Sequence, residues 1–223
     1  MLGLQQVTNG FVADDFFLMA NDDASGRPRL SERILALGLS GALLAELLLD
    51  GAAGIEEGNL VLTANGRPQD LLHGVLCSEV EAEGAPRSVR DWLDYLSFQA
   101  IDRVGQRLQS AGVVEFRQPR LKMPGRGGRW SPVDMQTAHW PAIDVALKIY
   151  NGKAEASTLL LFGLTRATGL DNHALYPIRQ LLTDPALLKQ TLAPLAAFDP
   201  ALVDLLAHTE AAVGSAVVSQ RRG

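Results

Sequence analysis

A single cysteine, Cys77, stands among the 223 residues, so no intrachain disulfide can form and the chain suits a reducing cytosol. Metal-ligand spacing is missing too. The four histidines, His73, His139, His173 and His208, lie far apart, with no His-x-x-x-His pair and no cysteine partner. A metal centre needs three or four converging ligands. No phosphate loop occurs: GRGGR lacks the strand-before, helix-after setting and the Lys-Ser/Thr pair of a Walker motif. Cys77 falls in LLHGVLC, an apolar helical pattern, which predicts a buried structural thiol rather than a nucleophile. The acid pairs Asp14-Asp15 and Asp22-Asp23 lie near turns with no apolar pocket to raise a pKa, and read as caps and solvation. No catalytic residue, metal site or cofactor site emerges, and the chain reads as a non-enzyme. Repeats of 20–50 residues are absent. The N-terminus MLGLQQVTNGFVADD has no basic region and no long apolar run, so no signal peptide is expected.

What the chain does have is one very apolar stretch. Between Ile34 and Leu49 the only charge is Glu46 and the only hydroxyl is Ser40. A helix apolar nearly all round is buried, in a protein core or in a membrane. Such a helix rises about 24 Å, short of the ~20 residues that a hydrocarbon core requires. The stretch therefore predicts the central helix of a mostly helical domain, with Ser31 as N-cap and Asp50-Gly51 as its stop. Gly38 and Gly41 leave room for another helix to approach closely.

Around it the pattern predicts a short helix over residues 12–20, and a turn over 21–29 broken by Gly26 and Pro28. Two short strands follow, at Ile55 and Asn59–Thr63, joined at Glu57-Gly58. Leu71, Leu72, Val75, Leu76 and Val80 recur at helical spacing within residues 68–83. A helical run from Val89 to Ala111 carries a break near Ser97. Further helices are placed at about residues 142–151, 155–168, 171–182, 184–197 and 199–218, two of them opened by Asp-Pro. TLLLFGLTRATG, residues 158–169, is the natural packing mate of the central helix. The fold class is mainly α: one domain over residues 1–223, a helical bundle around a buried helix, with a protruding β-hairpin and a short second strand pair.

That hairpin is VVEFRQPRLKMPGRGGRWSPV, residues 113–133. Five bases (Arg117, Arg120, Lys122, Arg126 and Arg129) and no acid lie between Phe116 and Val133, interleaved with Leu121, Met123 and Trp130. The charge of the chain is uneven around it. Residues 1–112 hold 16 acids and 8 bases, net −8, and residues 113–223 hold 9 acids and 12 bases, net +3. A basic finger suits an anionic membrane, where each base near the surface contributes about 1 kcal/mol and Trp130 can sit at the interface. The bland account is a solvated hairpin kept soluble by its arginines.

Five stretches in order carry a family likeness: FFLMANDDASGR, GLSGALLAELLLDGAAGIE, RPQDLLHGVLCSEVEAEGAPRSVRDWLDYLS, RVGQRLQSAGVVEF and STLLLFGLTRATGL. In order and spacing the chain resembles the Golgi phosphoprotein 3 family, in particular its shorter bacterial members. The resemblance implies a helical core around one buried helix, a protruding hairpin and no catalysis. It also implies a cytoplasmic protein able to sit on the cytosolic face of a membrane. The eukaryotic members bind phosphatidylinositol 4-phosphate on Golgi membranes and hold glycosyltransferase tails there. Their head-group pocket uses a tryptophan and an arginine around the signature helix and two further arginines. Here those positions fall on Ser31 and Ser40, and nearest to Phe98 and Ile101, in a stretch shortened between Ser97 and Arg103. The family's basic N-terminal tail, linked to coat-protein binding, has no counterpart.

Other residues are head-group candidates. Arg33 lies near the start of the central helix, where the helix dipole favours an anion, and Arg103 and Arg107 share one helix face. An arginine's planar fork suits a phosphate. The lipid head-group candidates are thus Ser31, Arg33, Ser40, Arg103 and Arg107, and the membrane-contact hairpin comprises Arg117, Arg120, Lys122, Arg126, Arg129 and Trp130. Two alternatives stay open. One is a protein-interaction adaptor without lipid; pairing of two hairpins into a homodimer is a further partner expectation. The other is a winged-helix-like nucleic-acid binder, opposed by Asp102 on the would-be recognition helix and by the net charge of −5.

Overall fold

The computed structural model describes residues 10–64, 66–118, 128–175, 178 and 183–220. Helix α1, Val12–Ala20, leads into a turn stapled by Asp22, whose Oδ1 accepts from Ser25 N at 2.8 Å and Ser25 Oγ at 2.7 Å. The turn closes as an antiparallel bridge between Asn21 and Pro28. Helix α2, Glu32–Leu49, is the expected central rod, and every residue from Leu35 to Leu48 is buried. Ser31 stands at its N-cap position, but its hydroxyl caps no backbone N–H and accepts instead from Gln220 Nε2 at 3.3 Å. Asp50 closes the other end and Gly51 leaves it at φ 65°. The two glycines do admit neighbours. A Cβ on Gly38 would stand 2.5 Å from Phe16 Cζ, and one on Gly41 would stand 2.7 Å from Thr209 Oγ1.

Strands β1, Ala53–Glu56, and β2, Asn59–Leu62, pair antiparallel across Glu57-Gly58. Both turn residues have positive φ, 50° and 79°, as a two-residue hairpin that follows the strand twist requires. A third strand joins this sheet. After helix α3, Leu71–Ala82, the two-residue strand β3, Arg87–Ser88, pairs with β2 at Asn59 and Leu60. Sequence patterning gave no sign of it, because two residues are too few to alternate.

Helix α3 corrects the expected apolar face. Leu71 is 91% exposed and Val75 is exposed as well, whereas the buried residues are His73 and Leu76. Cys77 is only half-buried. The helix is rotated so that an imidazole, rather than the leucines of its first turn, faces the body. Helix α4, Val89–Ser97, and helix α5, Ala100–Ser110, are separated where the break was expected, at Phe98-Gln99. Ser88 caps α4 by accepting from Asp91 N at 3.1 Å.

Strands β4, Val114–Arg117, and β5, Arg129–Pro132, form the base of the hairpin, with Phe116 opposite Trp130. Arg120, Lys122 and Arg126 lie outside the described residues. Helix α6, Met135–Tyr150, begins seven residues before its expected start. Asp134 caps it by accepting from Thr137 N at 2.7 Å, and Pro141 sits inside it. Helix α7, Ala156–Thr168, ends at Gly169 with φ 73°, and helix α8, Asp171–Ala174, is a single turn. Most of the remainder of the helix expected to 182 lies outside the described residues. Helix α9, Pro185–Phe198, and helix α10, Pro200–Gln220, follow their Asp-Pro starts. Around α2 pack α1, α4, α5, α7 and α10, and α3 touches it more lightly. By length and composition α10 could cross a membrane, with a mean hydropathy of 1.4, and its buried face lies on α2 and α7.

Candidate functional site

Beside the start of α2 a cleft of about 760 Å³ opens between α2, the α4–α5 junction and the base of the hairpin. Glu32, Arg33 and Ala36 of α2 line it on one side; Phe98, Ile101 and Asp102 line another. The hairpin supplies Phe116, Gly128, Arg129 and Trp130, and Gln220 reaches in from α10. Phe98 is 81% exposed, an uncovered ring at the mouth. Two acids and two bases balance in charge, so the cleft is amphipathic rather than strongly basic.

Each candidate residue has a defined place. Arg33 donates through Nη2 to Asp94 Oδ1 at 2.5 Å and through Nη1 to Ser97 Oγ. Ser31 is exposed at the helix start, and Ser40 is fully buried, its hydroxyl spent on Ala36 O at 2.9 Å. Arg103 forms a fork on Glu79, at 2.6 and 3.0 Å, and also donates to Gln99. Arg107 is buried among carboxylates. In the hairpin, Arg117 pairs with Glu115, whereas Arg129 is exposed and meets no acid among the described residues. Trp130 is turned inward, 8% exposed, packed edge-on to Phe116 with ring centroids 4.8 Å apart. It lies so close to α5 that a Cβ on Gly105 would come within 2.6 Å of its Nε1. The structure thus brings Arg33 and Arg129 to one cleft with Phe98, and sends Arg103 and Arg107 elsewhere.

The destination of Arg107 is a buried ionic cluster that patterning did not disclose. Its Nε donates to Asp14 Oδ1 at 2.8 Å. Its two terminal nitrogens donate to Glu46 at 3.0 and 3.2 Å, and Nη1 also reaches Asp70 at 3.3 Å. Glu46 accepts in addition from Ala13 N at 2.6 Å and lies 2.7 Å from His73 Nε2. The ring of Phe11 closes the cluster, 4.3 Å beneath the Arg107 guanidinium and edge-on to His73. Asp14 is therefore not the solvated cap expected of it: it is buried inside the protein. Burial raises its pKa to about 7, and the neighbouring Arg107 only partly offsets that. Burial also lowers the tendency of Arg107 to stay charged, but Glu46 and Asp14 outweigh it and hold the guanidinium protonated. Asp22, by contrast, is held below the usual carboxylate range by the hydroxyl and backbone N–H of Ser25. The one sequence signal was Glu46 itself, since an acid alone in a buried helix requires a cation.

Among the described residues no group of three or more His, Cys, Asp or Glu is arranged to hold a metal ion. The family profile described as Golgi phosphoprotein 3 (GPP34) matches residues 12–209. The chain belongs to the Golgi phosphoprotein 3 family. The match runs from the first residue of α1 into α10, so it takes in the central helix, the charged groups of the ionic cluster, the hairpin base and the cleft apart from Gln220. No curated protein matches the chain. Of the residues singled out by resemblance, Ser31 is exposed and Ser40 buried, and Phe98 and Ile101, named as nearest to the expected arginine pair, line the cleft.

Proposed function

We propose that the protein is a non-enzymatic membrane-docking protein that meets an anionic bilayer through the cleft and the adjoining hairpin base. The observation that carries this reading is the cleft itself, where an uncovered aromatic ring, Phe98, stands beside Arg33 and Arg129. A ring inserted at the acyl boundary and guanidiniums at head-group level form the two-part contact by which peripheral proteins hold a membrane surface. With Glu32 and Asp102 in the same walls, binding responds to surface charge rather than to one head group. The docked protein would sit on the cytoplasmic face of its membrane.

Liposome flotation tests this. The protein should float with vesicles of phosphatidylcholine containing about 20% phosphatidylserine, less with phosphatidylcholine alone, and more weakly as salt rises. Phe98→Asp and Arg129→Glu should each reduce flotation without changing the fold. Equal recovery in the bottom fraction with both vesicle types refutes the reading. A second reading, an adaptor that binds protein and no lipid, draws support from the commitment of Arg103 and Arg107 to carboxylates. Retention of a protein partner by a chain that does not float would favour it.

A further inference from the structure

Helix α3 is attached to the body in an unusual way. Its buried residues are His73 and Leu76 alone, and Leu71 and Val75 face away. Leu72, Cys77 and Val80 add only partly buried contact. Polar ties across this seam run between ionisable side chains: Asp70 to Arg107, Glu79 to Arg103, and His73 to Glu46 and Asp50. His73 is the centre of this seam. It is fully buried, with Nε2 at 2.7 Å from Glu46 Oε2 and Nδ1 at 3.1 Å from Asp50 Oδ2.

A neutral imidazole carries one N–H and one lone pair. It can donate to one of these carboxyl groups, and then its lone pair faces the other. With both carboxyl groups ionised, only the imidazolium presents an N–H to each. The Nδ1–Asp50 contact is not aligned as a hydrogen bond, so it attracts only while the imidazole is charged. We propose that α3 is a proton-held flap, seated while His73 bears both ring protons between Glu46 and Asp50 and released when one of them leaves.

The surrounding groups act in the same sense. Facing His73 are Asp70 on its own helix, Glu46 and Asp50 on α2, Arg107 on α5, and through Arg107 also Asp14 on α1. Strand β2 and the Phe11 ring bring no ionisable group. Burial lowers the His73 pKa, but Glu46 and Asp70 together raise it above the ordinary histidine value. A raised cation contributes stability that is complete below the unfolded value, near 6.5, and lost as pH rises through the folded one. Asp50, raised chiefly by burial, and Asp14, raised to about 7, shift in the same sense, each losing stability as pH rises through its folded value. The groups held below their ordinary values, Asp22 and Asp134, act only in acid. The raised His73 and Asp50 thus both weaken the seam as pH rises.

Hydrogen exchange of the full chain, read by mass spectrometry at about pH 6 and about pH 8.5 and corrected for intrinsic rates, tests the flap. Protection of residues 71–82 should fall about tenfold or more while that of residues 156–168 holds. His73→Gln, which donates one hydrogen bond but never carries charge, should show weak α3 protection at both pH values. Leu76→Ala should weaken α3 at both and keep the pH ratio. Equal α3 protection of the wild type at the two pH values overturns the proposal, as does a full pH response in His73→Gln. Should that variant fail to fold, the imidazole nitrogen shifts of the wild type decide: both ring nitrogens protonated at about pH 6 supports the flap, one protonated overturns it.

Discussion

Adding one methyl group at each of two helical glycines should have opposite effects. Gly38 lies in the middle of α2, and a Cβ there would stand 2.5 Å from Phe16 Cζ and 2.9 Å from Thr168 Cγ2. Carbon atoms rest about 3.5–4.0 Å apart, so the buried Phe16 ring would have to shift by about 1 Å. Overpacking of this kind costs about 1–3 kcal/mol, and the severity of the overlap puts Gly38→Ala in the upper part of that range. Alanine returns up to about 1 kcal/mol of helix propensity, which leaves a net loss of about 1–2 kcal/mol. Gly214 lies inside α10 with nothing within 4 Å of a built Cβ, so Gly214→Ala keeps only the propensity gain of about 0.5–1 kcal/mol. In a chain of this size 1 kcal/mol moves Tm by about 2–4 °C. Thermal unfolding followed by circular dichroism should thus show Gly38→Ala lowered by roughly 2–8 °C and Gly214→Ala raised by roughly 1–4 °C. If Gly38→Ala matches or exceeds the wild type, the helices do not meet as closely around α2 as their geometry indicates.

Arg107→Met should destabilise by about 3–5 kcal/mol in urea unfolding, because it strands Asp14 and Glu46 without their buried cation. Adding Glu46→Leu to it should recover part of the loss, whereas two additive losses would show that the cluster is not coupled. Asp184→Ala removes the cap that accepts from Ala186 N and Leu187 N and should cost about 1 kcal/mol, read from the urea midpoint. Gly105→Ala should push Trp130 off α5 and shift its fluorescence to the red, with an unshifted spectrum counting against the packing.

Much of the fold was legible because it rests on local rules. The run Ile34–Leu49 had no polar face to show solvent, Glu57-Gly58 could only be a tight turn, and Asp-Pro pairs opened α9 and α10. What escaped depended on contacts between distant residues. His73 was read only as one of four scattered histidines, and its partners Glu46 and Asp50 lie on another element. Arg103 and Arg107 resembled an anion fork because their acids, Glu79 and Asp14, lie 24 and 93 positions away. Trp130 read as an outward anchor because the flat place that receives it, Gly105, sits on a different element. The start of α6 was not legible because Asp134, which caps it, carries no more local signal than any other acid.

The enclosure of α2 on all sides limits how this chain can vary. Successive residues of a helix are turned about 100° apart, so one residue gained or lost before Glu46 would swing that carboxylate away from Arg107 and His73. A rod with a wet side could absorb such a slip by re-facing itself. Here a length change in α2 would tear the ionic cluster and the glycine contacts together, so diversification is left to the loops and the hairpin.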